Sequence, residues 1–241
     1  MLFGDSVQKT FVLHIPHAST YVPLSNHVAD LVPVEIQKMT DWEADKIFEV
    51  PEITTIKCDW SRVFCDVERL LNDELRKLGR GFYYTRTDDG KFFRDDILKS
   101  YVLENYYLPY HKGFKEIVEA KVQEFGCCRI VDCHTFPDTP FECDSNKTLP
   151  RPDICIGTNN VPGYMLKWFW DFFVDKGFEV RLNDPYYGSI VPYDLGVNTE
   201  VHSLMIEINR RLYMSEDGTV YKDKVEWLNE MIREVMEFSL L

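Results

Sequence analysis

Short apolar runs alternate with longer stretches in which apolar residues recur every three or four positions, and this alternation extends over most of the chain. Residues 11–15, Phe-Val-Leu-His-Ile, have the length and continuity of a buried strand and are stopped by Pro16. After a loop containing Pro23 and Pro33, a helical spacing runs from about Val34 to Phe48, and Thr54 to Cys58 reads as a second strand. Phe82 to Thr87 predicts a strand leading into a turn at Asp88-Asp89-Gly90. Leu98 to Phe125 predicts a long amphipathic helix in which Pro109 starts a new segment or a kink. Arg129 to Cys133 and Ile154 to Ile156 are short apolar strands, and Met165 to Val174 is an aromatic-rich helix ended by Gly177. Glu179 to Leu182 and Ser203 to Ile208 are strand-like. Asp223 to Phe238 closes the chain as an amphipathic helix with Val225, Leu228, Ile232 and Val235 inward.

Strands alternating with helices predict an α/β fold, a mixed and mostly parallel sheet sandwiched by helices. In such sheets functional residues gather just past strand ends. With 241 residues and no repeat, low-complexity tract or Gly/Ser linker, residues 1–241 are expected to form a single domain. A content of 45% hydrophobic and 14% aromatic residues supplies a core without disulfides. The net charge of −13 argues against nucleic acid as a partner, yet a few local arginines suffice to hold a small anionic substrate. The seven cysteines include no CxxC pair, only the adjacent Cys127 and Cys128, a spacing that suits reduced thiols. No apolar run approaches the roughly 20 residues of a membrane span. Met1 to Thr10 shows no signal-peptide pattern, so a cytoplasmic protein is expected.

Five polar clusters interrupt this pattern. In His14-Ile15-Pro16-His17, the second histidine follows a strand and a proline and is placed to project into a pocket; His14, inside the strand, equally suits a core histidine. In Thr40-Asp41-Trp42-Glu43-Ala44-Asp45, the two aspartates are four apart and share one face of a helix, which also describes a solvated face capped by Thr40. In Asp132-Cys133-His134, alternate strand residues share a face, so Asp132 can support His134. Glu207 stands between isoleucines in an apolar strand, where a carboxylate is costly to desolvate unless paired or protonated. That makes it a candidate general base, with a salt bridge to Arg210 or Arg211 as the alternative. Arg62 and Arg69 flank Asp66 and Glu68, and they suit either a carboxylate clamp or a structural ion-pair network. Two histidines, a carboxylate and a spare glutamate match what a hydrolytic zinc site requires, although the local HExxH motif is absent.

Taken in order, Pro16-His17-Ala18, Thr40-Asp41-Trp42 with Asp45, Ser61-Arg62 through Asp66 to Arg69, Pro109-Tyr110-His111, Asp132-Cys133-His134, and Glu207 with Tyr213-Met214 resemble the N-formylglutamate amidohydrolase family. The resemblance implies a zinc-exopeptidase-like fold related to zinc carboxypeptidases and aspartoacylases. It implies a zinc ion, or another divalent metal, held by His17, Asp41 and His134, with Asp41 chosen over Asp45. It also implies Glu207 as general base, Arg62 as a second catalytic group, and Arg62, Arg69 and His111 as contacts to an anionic substrate such as N-formyl-L-glutamate. The sequence departs from the family where Asn commonly precedes the second arginine and Glu68 stands here. A carboxypeptidase-like peptide hydrolase and a non-catalytic metal-binding relative are the competing readings. The loop Asp184 to Ser189 is expected at the substrate entrance.

Overall fold

The computed structural model describes residues 7–23, 32–159 and 161–237. Its centre is a six-stranded sheet formed by β1 (Phe11–Ile15), β2 (Thr54–Lys57), β3 (Cys128–Phe136), β4 (Ile154–Asn159), β5 (Val180–Leu182) and β6 (Val201–Asn209), in the order β2-β1-β3-β6-β4-β5. β2, β1, β3 and β6 run parallel; β4 is antiparallel to β6 and β5 parallel to β4. The expected α/β sandwich with a mixed, mostly parallel sheet is therefore the fold observed.

Period-two alternation divides the sheet into two unlike faces. Phe11, Leu13 and Ile15 of β1, Val131 and Cys133 of β3, and Leu204, Ile206 and Ile208 of β6 join the larger core. There they meet α5 (Gly163–Asp175) and α6 (Lys222–Glu237), whose inward residues include Val225, Leu228, Ile232 and Val235 as the spacing predicts. The opposite face carries Val12, Ile130 and Val201, packed on Phe114 and Val118 of α4 (Leu108–Phe125). Further along the same three strands this second face turns polar, with His14, Asp132, His134 and Glu207 all buried. Register sets them side by side: His14 opposes Asp132, and His134 opposes Glu207. Because β1 joins β2 on one side and β3 on the other, the chain reverses its winding here, where open parallel sheets form their binding crevice.

Four elements differ from the sequence expectation. The helix expected over 34–48 is two helices, α1 (Val32–Met39) and α2 (Ala44–Ile47). Asp41 lies in the break, where its N–H donates to the His17 carbonyl at 3.0 Å and Glu43 takes a left-handed φ of 62°. Thr40 donates its hydroxyl to the Ile36 carbonyl, closing α1 rather than capping a later helix. The segment 98–125 is not one α-helix: α3 (Lys99–Val102) passes through a π-turn at Leu103–Tyr107 into α4. Pro109 lacks an N–H and would press on a carbonyl one turn earlier, and the widened turn relieves both. Phe82 to Thr87 forms no strand. It makes isolated bridges, Arg80 with Tyr84 and Arg86 with Phe92, around the expected turn at Gly90, whose φ is 82°. Conversely β3 continues to Phe136, so His134 lies within the strand rather than after it. The predicted helix end at Phe238 lies outside the described residues.

All seven cysteines are free thiols. Among the described residues no helix is long and apolar enough to cross a membrane.

Gly157 of β4 marks a close backbone approach. A Cβ there would stand 2.2 Å from the Gly188 carbonyl oxygen and 2.5 Å from Met205 Cε, and Met205 lines the central cavity. Gly157→Ala is expected to lower stability by about 1–3 kcal/mol through overpacking, read from denaturant unfolding. An unchanged midpoint would show that the loop at Gly188 yields freely.

Candidate metal and hydrolase site

Pro16 ends β1 and turns His17 over the carboxyl end of β3, bringing the His17 and His134 ring centroids to 5.0 Å. Asp41 reaches the same point from the break between α1 and α2. Its Oδ2 lies 3.0 Å from His134 Nδ1 and 3.7 Å from His17 Nδ1. Both histidines and Asp41 are at most 3% exposed. Asp45 faces elsewhere, pairing with Lys57 at 3.3 Å on the surface.

Each imidazole has an acid at its other nitrogen as well. His17 Nε2 donates to Asp66 Oδ1 at 2.9 Å. His134 Nε2 has Asp132 Oδ1 at 3.1 Å and Glu68 Oε2 at 3.2 Å. A carboxylate on the far nitrogen is the arrangement that fixes ring orientation in metal-binding histidines. His17 Nδ1 is buried without a hydrogen-bond partner. With its proton on Nε2, it points an unused lone pair toward the Asp41 oxygen, an arrangement that a cation between them makes favourable. The residues thus fit a metal ion. Among the described residues, the grouping on these two histidines that brings one ligand atom of each residue within 4.8 Å of the others is His17, Glu68 and His134, without Asp41.

The charges follow from these contacts. Burial raises the Asp41 carboxyl, but the hydrogen bond to His134 and the closeness of both imidazoles outweigh it and hold the group well below the usual carboxylate range. Asp41 Oδ1 also accepts from Arg210 Nη2 at 3.2 Å. Burial lowers His134, and the neighbouring Asp132 and Glu68 charges reverse that, so the metal-free ring holds a proton well above its ordinary value. Glu207 behaves in the opposite sense. Burial pushes it up to about 8, with the Asp41 and Glu68 charges adding to the rise against His134 and Arg210. Its Oε2 has no hydrogen-bond partner, and neither Arg210 nor Arg211 forms the salt bridge considered from sequence.

A cavity of about 760 Å³ opens over these groups. Three of the residues at its wall are arginines, and two of them are committed elsewhere. Arg62 donates from Nε and Nη2 to Asp66 Oδ2 at 3.1 and 2.9 Å, so its fork orients the acid behind His17. Tyr84 adds its hydroxyl to the same oxygen at 2.6 Å. Arg80 donates to Glu35 at 2.7 Å. Arg69 is the least engaged, with an unpartnered Nε and one ion-pair contact, Asp66 at 3.7 Å. The Asp66 network was legible as the ion-pair alternative, but Tyr84 carried no signal in sequence. His111 does not line this cavity. It faces a neighbouring depression beside Lys112 and Lys115, packed against Tyr107 at 4.2 Å, and burial lowers it to about 4. The loop with Pro185, Tyr186 and Tyr187 does line the cavity, as expected of an entrance segment.

Comparison with known proteins places these features in a lineage. No curated protein matches the sequence. Among solved structures, the N-formylglutamate amidohydrolase of Ralstonia eutropha JMP134 is similar, with a TM-score of 0.84, 23% identity, and 95% of this chain and 92% of that one covered. A gene product of Agrobacterium tumefaciens gives 0.67, 19%, 96% and 91% for the same measures. These likenesses are of fold. The model of the N-formylglutamate amidohydrolase family matches residues 9–214, from the start of β1 to just past β6, and so includes every strand and every residue of the cluster described above. The chain belongs to the N-formylglutamate amidohydrolase family.

Proposed function

We propose that the protein is a metal-dependent amidohydrolase that cleaves an N-formyl or N-acyl amino acid, with N-formyl-L-glutamate yielding formate and glutamate as the leading substrate. Family membership supports an enzyme that hydrolyses an amide. The observation that carries the reading is the meeting of two buried histidines and Asp41 opposite Glu207, a buried carboxylate oxygen without a partner.

In this reading His17, His134 and Asp41 hold a divalent metal, zinc by family resemblance, and each histidine uses Nδ1 while Asp66 and Asp132 stand behind the Nε2 atoms. When bound, the metal polarises the scissile carbonyl and lowers the pKa of an attacking water. Glu207 lies across from His134 in the β3–β6 register and takes the proton of that water on its free Oε2. The same carboxyl then delivers the proton to the departing amine nitrogen. Burial sets the Glu207 pKa at about 8, and Glu207 would serve as a base near neutrality once a divalent cation held there lowered it. Arg69, with an unpartnered Nε at the cavity wall, is the group to clamp a substrate carboxylate. Arg62 contributes by holding Asp66. The cavity, near 760 Å³, also has room for a peptide. A carboxypeptidase-like activity is therefore the second reading, and short peptides belong in the same assay.

Metal analysis with a formate-release assay on N-formyl-L-glutamate tests the proposal. Glu207→Gln should keep the metal and lose about 10²–10⁴-fold in turnover; a near-wild-type rate would remove Glu207 from the base role.

The carboxylate donor is separable. Asp41→Asn should lose metal while Glu68→Gln retains it, measured as bound zinc after dialysis. The reverse outcome would assign the ligand to Glu68.

The raised Glu207 pKa fixes a sign for the metal-free protein. A carboxyl whose folded pKa exceeds its unfolded value, near 4.3, destabilises the fold progressively as pH rises from there through about 8. Metal-free Glu207→Gln should therefore unfold at higher temperature than metal-free wild type at pH 8 and above, and the gap should close toward pH 4. A gap that does not depend on pH would contradict the buried, protonated state.

A further inference from the structure

The metal reading places Asp132 behind His134 and leaves the buried groups that hold Asp132 without a role. Asp132 is fully buried, and its two oxygens are held by separate elements. Oδ2 accepts from the Ile190 N–H at 3.1 Å. Oδ1 accepts from His14 Nδ1 at 2.8 Å, a contact set by the β1–β3 register that places these residues opposite each other. With its Nδ1 proton facing the carboxylate, His14 presents an acceptor at Nε2, and the Tyr110 hydroxyl of α4 donates to it at 2.9 Å. The His14 ring lies flat on Phe114, with centroids 4.7 Å apart and planes 4° from parallel. A chain of polar contacts therefore runs from α4 through β1 to β3, and at its end the same Asp132 Oδ1 stands 3.1 Å from His134 Nε2.

His14, Glu68 and Asp132 also place ligand atoms within 4.8 Å of one another, the pattern of a second ion site. That alternative fails on the hydrogen bonds. Both nitrogens of His14 are engaged, one by Asp132 and one by Tyr110, and no lone pair remains for a metal. The grouping is a relay of hydrogen bonds rather than a ligand shell.

We propose that His14 and Tyr110 are positioning residues that act through Asp132 to hold His134 in the ring orientation and tautomer that bind metal through Nδ1. This inference rests on the metal reading above. A carboxylate in contact with Nε2 keeps the proton on that nitrogen and leaves Nδ1 as the donor. Asp132 performs this only if its own carboxyl cannot rotate away. Its contact with His134 is between residues two apart on one strand, where side chains stand parallel and lack an aligned hydrogen bond, so other elements must fix its orientation. His14 supplies that restraint, and Tyr110 with Phe114 restrains His14. The position favours a polar role over a packing one. Val12 and Ile130 occupy the same face one step back, where aliphatic residues pack on Phe114 and Val118. An aliphatic residue at 14 would also pack there, but it would leave Asp132 Oδ1 without its donor.

The relay also separates the two ring residues of the Pro109-Tyr110-His111 landmark. Tyr110 touches the relay, whereas His111 turns to the neighbouring depression.

The test is zinc affinity of the metal-depleted full-length protein by chelator competition, with thermal unfolding of each metal-free variant beside it. His14→Phe should weaken zinc binding by about 10–100-fold, the range seen when partners of metal ligands are removed. Tyr110→Phe should weaken it by a smaller factor. His14→Asn, which retains a donor toward Asp132, should recover most of the affinity lost in His14→Phe. Zinc binding as tight as wild type in both His14→Phe and Tyr110→Phe overturns the proposal, as does an asparagine variant no better than the phenylalanine one. Should His14→Phe fail to fold, unchanged affinity in Tyr110→Phe is the overturning result. A wild-type protein that takes up no zinc would instead bring down the metal reading and this inference with it.

Discussion

Asp41, Asp66, Asp132 and Glu207 are buried together around His17 and His134, and only positive charge makes such crowding tolerable. In the metal-free protein Arg62 neutralises Asp66, Arg210 reaches Asp41, and a proton held by His134 answers Asp132 and Glu68. Glu207 has no cation of its own and is driven toward its neutral form by burial. A divalent ion held by His17, His134 and Asp41, as proposed, would add positive charge there and let Glu207 ionise. The same imbalance of charge is what would favour a cation held there, as proposed above.

The fold exists to hold that imbalance in one place. Parallel pairing of β1, β3 and β6 aligns the residues that matter in a row, His14 beside Asp132 and His134 beside Glu207. The larger core on the opposite face anchors these strands with apolar side chains. The polar face needs residues from outside the sheet to complete it, namely Asp41 from the break between α1 and α2, Arg62 and Asp66 from the loop after β2, and Tyr110 from α4. Polar relays run back from each histidine, by hydrogen bonds through Asp66 to Arg62 and Tyr84 on one side, and by the Asp132 contact and then hydrogen bonds to His14 and Tyr110 on the other. The site is therefore stiffened in part by Tyr84, His14 and Tyr110, none of which lines the cavity.

The strands and the closing helix were readable because their apolar periodicity is what the two cores require. Two positions show where that reading stops. Asp41 and Asp45 look like one helical face at four-residue spacing, but the backbone hydrogen bond from Asp41 to His17 breaks the helix and separates them, and no local propensity encodes that long-range contact. Arg62 and Arg69 looked equivalent as a clamp; tertiary packing gave Arg62 to Asp66 and left Arg69 toward the cavity. Glu207 was legible for the reason that made it anomalous, an acid amid isoleucines. Tyr84 was not, because a tyrosine in an aromatic-rich segment gives no sign of which carboxylate its hydroxyl will find.

The convergence of His17, Asp41 and His134 on one cation can be imaged directly. Anomalous diffraction at the zinc edge, from crystals of zinc-loaded protein, should show one strong peak between His17 Nδ1, His134 Nδ1 and Asp41, with Glu207 facing it. A peak that engages none of these side chains, or no peak at full zinc loading, would contradict the account.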